Sequence, residues 1–153
     1  MSDWGSTHRV LAEVAMAEGV VLEGELHLLT RLAYPPGPET PLEMLNRGDA
    51  FFALTVPTGG VTLVPKAQAA VISCHEAEPP ADPDRASAAK VIELAVVVSG
   101  GAEFQGRAAL ELPPSRARVL DYVNGPGGFF SLWADGVTRC INKSLVRLIR
   151  PLD

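Results

Sequence analysis

Apolar and polar residues alternate in two separate stretches of the chain. Val10, Ala12, Val14 and Met16 fill every second position of the first, and Ile92, Leu94, Val96 and Val98 do so in the second. A period of two predicts strands with one face buried. Residues 9–18 also hold Ala, Glu and Met, which suit a helix. The β-branched run IELAVVV at the corresponding place in the second stretch decides for a strand. Turns follow at Glu18-Gly19 and Gly100-Gly101. A second strand then runs through Leu22, Leu26 and Leu28, or through Phe104, Ala108 and Leu110. Gly24 and Gly106 fall inside these strands, where glycine marks a bulge or a barrel corner.

The two stretches belong to a longer repeat. VVLEGELHLL at Val20–Leu29 matches AEFQGRAALE at Ala102–Glu111. LEMLN at Leu42–Asn46 matches LDYVN at Leu120–Asn124, and Phe51-Phe52 matches Phe129-Phe130. PKAQAAVI at Pro65–Ile72 matches NKSLVRLI at Asn142–Ile149. Four extra residues of the first copy fall in its proline-rich stretch YPPGPETP, a loop difference expected of a diverged duplication. Further turns at Gly59-Gly60 and Asp135-Gly136, and corners near Pro65-Lys66 and Asn142-Lys143, complete about five short strands per copy. The expected fold is all-β, a tandem duplication of a small five-stranded barrel. Its parts are a tail at 1–7, copy one at 8–74, a Pro/Ala/acidic linker at 75–88 and copy two at 89–153. One phenylalanine of each pair should point into a barrel core, because neighbours on a strand face opposite sides.

Composition narrows the function. The 153 residues carry a formal net charge of −5, the wrong sign for generic nucleic-acid binding. The two cysteines, Cys74 and Cys140, make neither a disulfide framework nor a metal-ligand spacing. Cys74-His75 offers too few ligands for zinc, so no metal and no cofactor is expected. MSDWGSTHRV lacks a signal-peptide pattern and no apolar run is long enough for a membrane span; a cytoplasmic protein is the expectation. No P-loop, dinucleotide fingerprint or Gly-x-Ser-x-Gly is present, which argues against an enzyme. PTGG and GPGG lie between strands and fit turn geometry better than a phosphate cradle.

The glycine of the second strand, the acidic-x-x-Asn box and the late Ile-x-Lys-x-x segment resemble the Sm-like and SH3-like small barrels. Copy two, GRAALELPPSRARVLDYVNGPGGFFSLW and TRCINKSLVRLI, carries the resemblance best. It implies a binding site at Asp121, Asn124, Asn142 and Lys143, where Sm-like proteins hold RNA. A fainter similarity to the PilZ barrel adds Arg116 and Arg118, whose planar forks suit phosphate. The plainer expectation is that an arginine pairs with Asp121 across a turn, that Asn46 and Asn124 fix turns, and that Lys66 and Lys143 are solvated loop lysines. Trp133 beside basic residues suits stacking or core packing. The favoured function is a non-enzymatic protein-interaction or scaffold module with a protein partner or self-association; the alternative is an Sm-like or PilZ-like nucleic-acid or nucleotide binder.

Overall fold

The computed structural model describes residues 8–31, 37–75, 90–110 and 119–152. The first part of the chain forms β1 (His8–Met16), β2 (Val21–Leu28), the short strands β3 (Thr30–Arg31) and β4 (Gly37–Pro38), and helix α1 (Pro41–Asn46). It continues as β5 (Phe51–Thr55), β6 (Val61–Pro65) and β7 (Ala69–Cys74). The second part forms β8 (Lys90–Val98), β9 (Glu103–Leu110), helix α2 (Val119–Val123), β10 (Phe129–Ala134), β11 (Val137–Asn142) and β12 (Val146–Pro151). A 3-10 turn precedes each last strand, at Lys66–Gln68 and Lys143–Leu145.

The fold is all-β. Ten strands make one antiparallel sheet in the order β12-β8-β9-β10-β11-β7-β1-β2-β5-β6, and β3 pairs separately with β4. The sheet is continuous through both halves of the chain and ends at β12 and β6. Its hydrogen bonding therefore does not divide it into two closed barrels among the described residues. The join is a direct strand pair: Thr138, Arg139, Cys140 and Ile141 of β11 lie opposite Cys74, Ser73, Ile72 and Val71 of β7.

Local chemistry explains the elements. β1 buries Val10, Ala12 and Val14 and exposes Arg9, Leu11 and Glu13, the alternation a one-sided strand requires. Gly24 and Gly106 sit where a neighbouring strand crosses closely. A Cβ on Gly24 would stand 2.5 Å from the Thr55 carbonyl oxygen, and one on Gly106 would stand 3.0 Å from Leu132 Cβ. Only glycine leaves room for the sheet to bend at these points. The turn at Asp135-Gly136 has φ of 52° and 76°, the left-handed pair that joins a tight hairpin. The LEMLN box is a short helix. Thr40 accepts from the Glu43 backbone N–H, the Glu43 carboxylate accepts from the Thr40 N–H, and Pro41 opens the first turn.

Two hydrophobic cores result, and each borrows from the other half. The first holds Val14, Leu26, Leu54 and Ile72 together with Phe129 and Cys140 from the second half. The second holds Leu94, Val96, Leu132 and Ile141 together with Ala70 and Val71 from the first. This corrects the expectation for the phenylalanines. Phe52 is buried and Phe51 exposed, as one per pair requires, but Phe129 and Phe130 are both buried. Phe130 enters its own core, and Phe129 crosses the join into the other.

Phe129→Ala and Phe130→Ala should therefore each cost about 3–5 kcal/mol, whereas Phe51→Ala should cost less than about 1 kcal/mol in the isolated chain. Chemical denaturation of the three variants checks this ranking.

Candidate functional site

The pairing of β7 with β11 brings equivalent corners of the two halves together. Between them lies an open cleft of about 570 Å³, lined by residues that include Asn46, Lys66, Phe129, Asn142, Lys143 and Ser144. Asn46 stands at the end of α1 and reaches across the join. Its Nδ2 donates to the Phe129 carbonyl at 3.2 Å and its Oδ1 accepts from the Phe129 N–H at 2.8 Å. That bidentate grip mimics a strand neighbour, and it satisfies the backbone where β10 begins. A Cβ on Gly127 would stand 2.8 Å from the Asn46 amide carbon, so only glycine admits the asparagine.

Asn142 makes the reciprocal crossing. Its Nδ2 donates to the carbonyls of Lys66 and Ala69, both at 3.0 Å. Its Oδ1 accepts from the Ser144 N–H and hydroxyl at 3.0 and 2.7 Å. The side chain is buried and all of its bonding capacity is used.

The lysines are anchored within their own halves. Lys66 Nζ donates to the Met44 and Arg47 carbonyls at 2.9 and 3.2 Å, closing the C-terminal end of α1. Lys143 Nζ donates to the Gly125 carbonyl at 2.8 Å, just beyond α2. Burial lowers the Lys66 pKa from the ordinary lysine value; Asp49 opposes the shift, Arg47 adds to it and Glu39 opposes it. Burial alone lowers that of Lys143. Neither is a solvated loop lysine. Arg47, at the cleft rim, is 3.4 Å from Glu39 and 3.8 Å from Asp49.

The sequence-predicted site thus divides. Asn142 and Lys143 line the cleft, in company with Asn46 and Lys66. Asp121 is a half-buried residue of α2, and Asn124 is exposed just after it; neither lines the cleft. Arg116 and Arg118 lie outside the described residues. The role of Asn46 went unread because its partner is 83 positions away. The Thr-Pro-x-Glu start of α1 was a legible capping signal.

A second cavity of about 460 Å³ lies against Arg107 and Trp133. Its guanidinium sits 5.6 Å from the Trp133 ring centre and 3.6 Å from the Glu93 carboxylate. Trp133 is half-buried, and Arg107 lies over its ring in a cation–π contact. Both cysteines are reduced thiols packed in the first core, and burial, with Cys74 nearby, pushes the Cys140 pKa up. A thiol so held is protonated and unreactive. No group of three or more metal-ligating side chains occurs among the described residues, and no helix among them is long and apolar enough to cross a membrane.

No family model, curated protein or solved structure matches the chain.

Asn46→Ala should cost about 1–2 kcal/mol, because it strands the Phe129 backbone groups at the join. Asn46→Asp should restore less than half of that loss, since a carboxylate cannot donate to the Phe129 carbonyl. Urea melts of the two variants measure both effects.

Proposed function

We propose that the chain is a non-enzymatic protein-interaction module built from two copies of one small five-stranded unit of the Sm-like/SH3-like kind. Matching registers support the duplication. Ala12 opposite Gly24 recurs as Leu94 opposite Gly106, and Phe52 opposite Val64 recurs as Phe130 opposite Ile141. Val14 opposite Ile72 recurs as Val96 opposite Ile149, each followed by a register shift toward the corner. A strand order of β7-β1-β2-β5-β6 in one half becomes β12-β8-β9-β10-β11 in the other.

The observation that carries the function is the state of the two sheet ends. At β6 and β12 the sheet stops; Leu63 and Leu148 are exposed on these strands, and Phe51 is exposed on the neighbouring β5. Strand edges with apolar side chains pair with added strands. The cleft offers less. Its asparagines and lysines already serve backbone groups of the chain, so a ligand would have to displace bonds that hold the fold. An RNA or nucleotide site through Arg116, Arg118, Asp121 and Asn124 must also work against a net charge of −5.

Leu63→Lys and Leu148→Lys each place a charge on one edge without touching a core. Either substitution should reduce capture of protein partners on the immobilised chain by roughly tenfold. Nuclease treatment of the lysate should leave capture unchanged. Saturable RNA binding at about 150 mM salt, or capture indifferent to both edge variants, would count against the module.

A further inference from the structure

We propose that the β6 edge of one chain pairs with the β12 edge of another, so that copies of the protein assemble head to tail by repeating the junction that joins the two halves of each chain. The inference rests on the module reading above and names its partner as a second copy of the same chain.

The junction inside the chain is the template. β11 is the fourth main strand of the second half, and it pairs with β7, the fifth of the first. The strands at the two ends of the sheet are the missing counterparts: β6 is the fourth strand of the first half and β12 the fifth of the second. One end of the molecule thus has the shape of the donor, and the other end has the shape of the acceptor. Such a contact is heterologous and leaves a fresh edge at each end of every pair, so it grows into a ring or a filament.

The side chains agree with the backbone. At the internal junction Phe129, Cys140 and Val71 are 5%, 0% and 1% exposed. Their counterparts at the sheet ends are Phe51, Leu63 and Leu148, which are 55%, 62% and 42% exposed. Apolar residues are kept at the positions that a junction would bury, and they lie open at the ends of the sheet, where no further strand pairs among the described residues. The helices follow suit. α1 packs on β10 across the internal junction and buries Met44 and Leu45. In α2 no residue is buried, and Leu120 projects into solvent. On β5 of a second copy, α2 would find the surface that β10 gives to α1.

The polar grip repeats as well. Asn46 holds the Phe129 N–H and carbonyl, and the counterpart of this pair is Asn124 with Phe51 of the next copy. This gives the Asn124 side chain a partner beyond the described residues of its own half.

Three of the differences weaken the contact. Pro65 replaces Asn142 and cannot donate to the neighbouring carbonyls. Asp49 stands where Gly127 admits the asparagine, and Arg147 stands where Ala70 is buried. The intermolecular junction is accordingly weaker than the internal one, and assembly is reversible and concentration-dependent. Arg147 and Arg150 on β12 also discourage indiscriminate edge pairing.

Transferring the internal register places Thr62 opposite Arg150 and Leu63 opposite Ile149. The full chain is taken through sedimentation velocity from about 1 to about 100 µM. The weight-average mass should rise with concentration, and Leu63→Lys or Asn124→Ala should shift the midpoint upward by roughly tenfold. Chains carrying Thr62→Cys, mixed with chains carrying Arg150→Cys, should form a disulfide-linked pair under mild oxidation, because facing strand residues meet the distance a disulfide needs. Neither variant alone should crosslink. A chain that remains monomeric throughout, or Thr62→Cys crosslinking to itself, overturns the inference. If the monomer still captures a different protein in an edge-dependent manner, self-assembly falls and the module reading stands.

Discussion

The β7–β11 strand pair is the contact on which the rest of the molecule depends. Antiparallel pairing alone would join two sheets weakly, since a hydrogen bond exchanged against water nets only about 1 kcal/mol. Here the pair also exchanges side chains. Phe129 and Cys140 pass into the first core, and Ala70 and Val71 pass into the second. Neither half completes its interior from its own residues. Asn46 and Asn142 then cross the join in opposite directions and satisfy backbone groups at its rim. A polar residue with all its bonds made fixes register, because a slip of one position would leave the amide and its backbone partners unpaired.

This coupling bears directly on function. The cleft at the join looks like a binding site by shape, and it gathers two asparagines and two lysines. Its chemistry is already committed: one asparagine seals the start of β10, the other seals the corner before β7, and the lysines close the ends of the short helices. Exposed apolar surface lies at the far ends of the sheet. Apolar side chains stand exposed on β5, β6 and β12, with no neighbouring strand beyond β6 or β12 among the described residues. The proposed recognition by an added strand rests on that asymmetry.

The strands, and the sequence match between the two halves, were legible because hydrophobic period and loop glycine are local signals. Val10 to Met16 and Ile92 to Val98 announce strands, and Gly24 and Gly106 announce the bends. The short helix α1 was also written locally, in Thr40, Pro41 and Glu43, but the surrounding strand pattern masked it. Two features were not legible. Phe51 and Phe129 occupy the same place in the repeat, yet one is exposed and the other buried. The difference comes from what lies across the join and leaves no trace in the residues around them. The lysines read as loop residues because their carbonyl partners, Met44 and Gly125, come from other elements. The predicted cluster of Arg116, Arg118, Asp121 and Asn124 rested on resemblance to other small barrels, whereas Asn142 bonds to carbonyls of the first half and Lys143 to Gly125 of its own.

If the two halves share their cores, they must open together. Native-state hydrogen exchange, read strand by strand, measures this most directly. The amides of β7 and β11 should exchange with the slowest class in the protein, at an opening free energy equal to that of β1 in one half and β8 in the other. Exchange of β7 and β11 well ahead of β1 and β8, or two halves with separate opening free energies, would contradict a junction that holds the fold together.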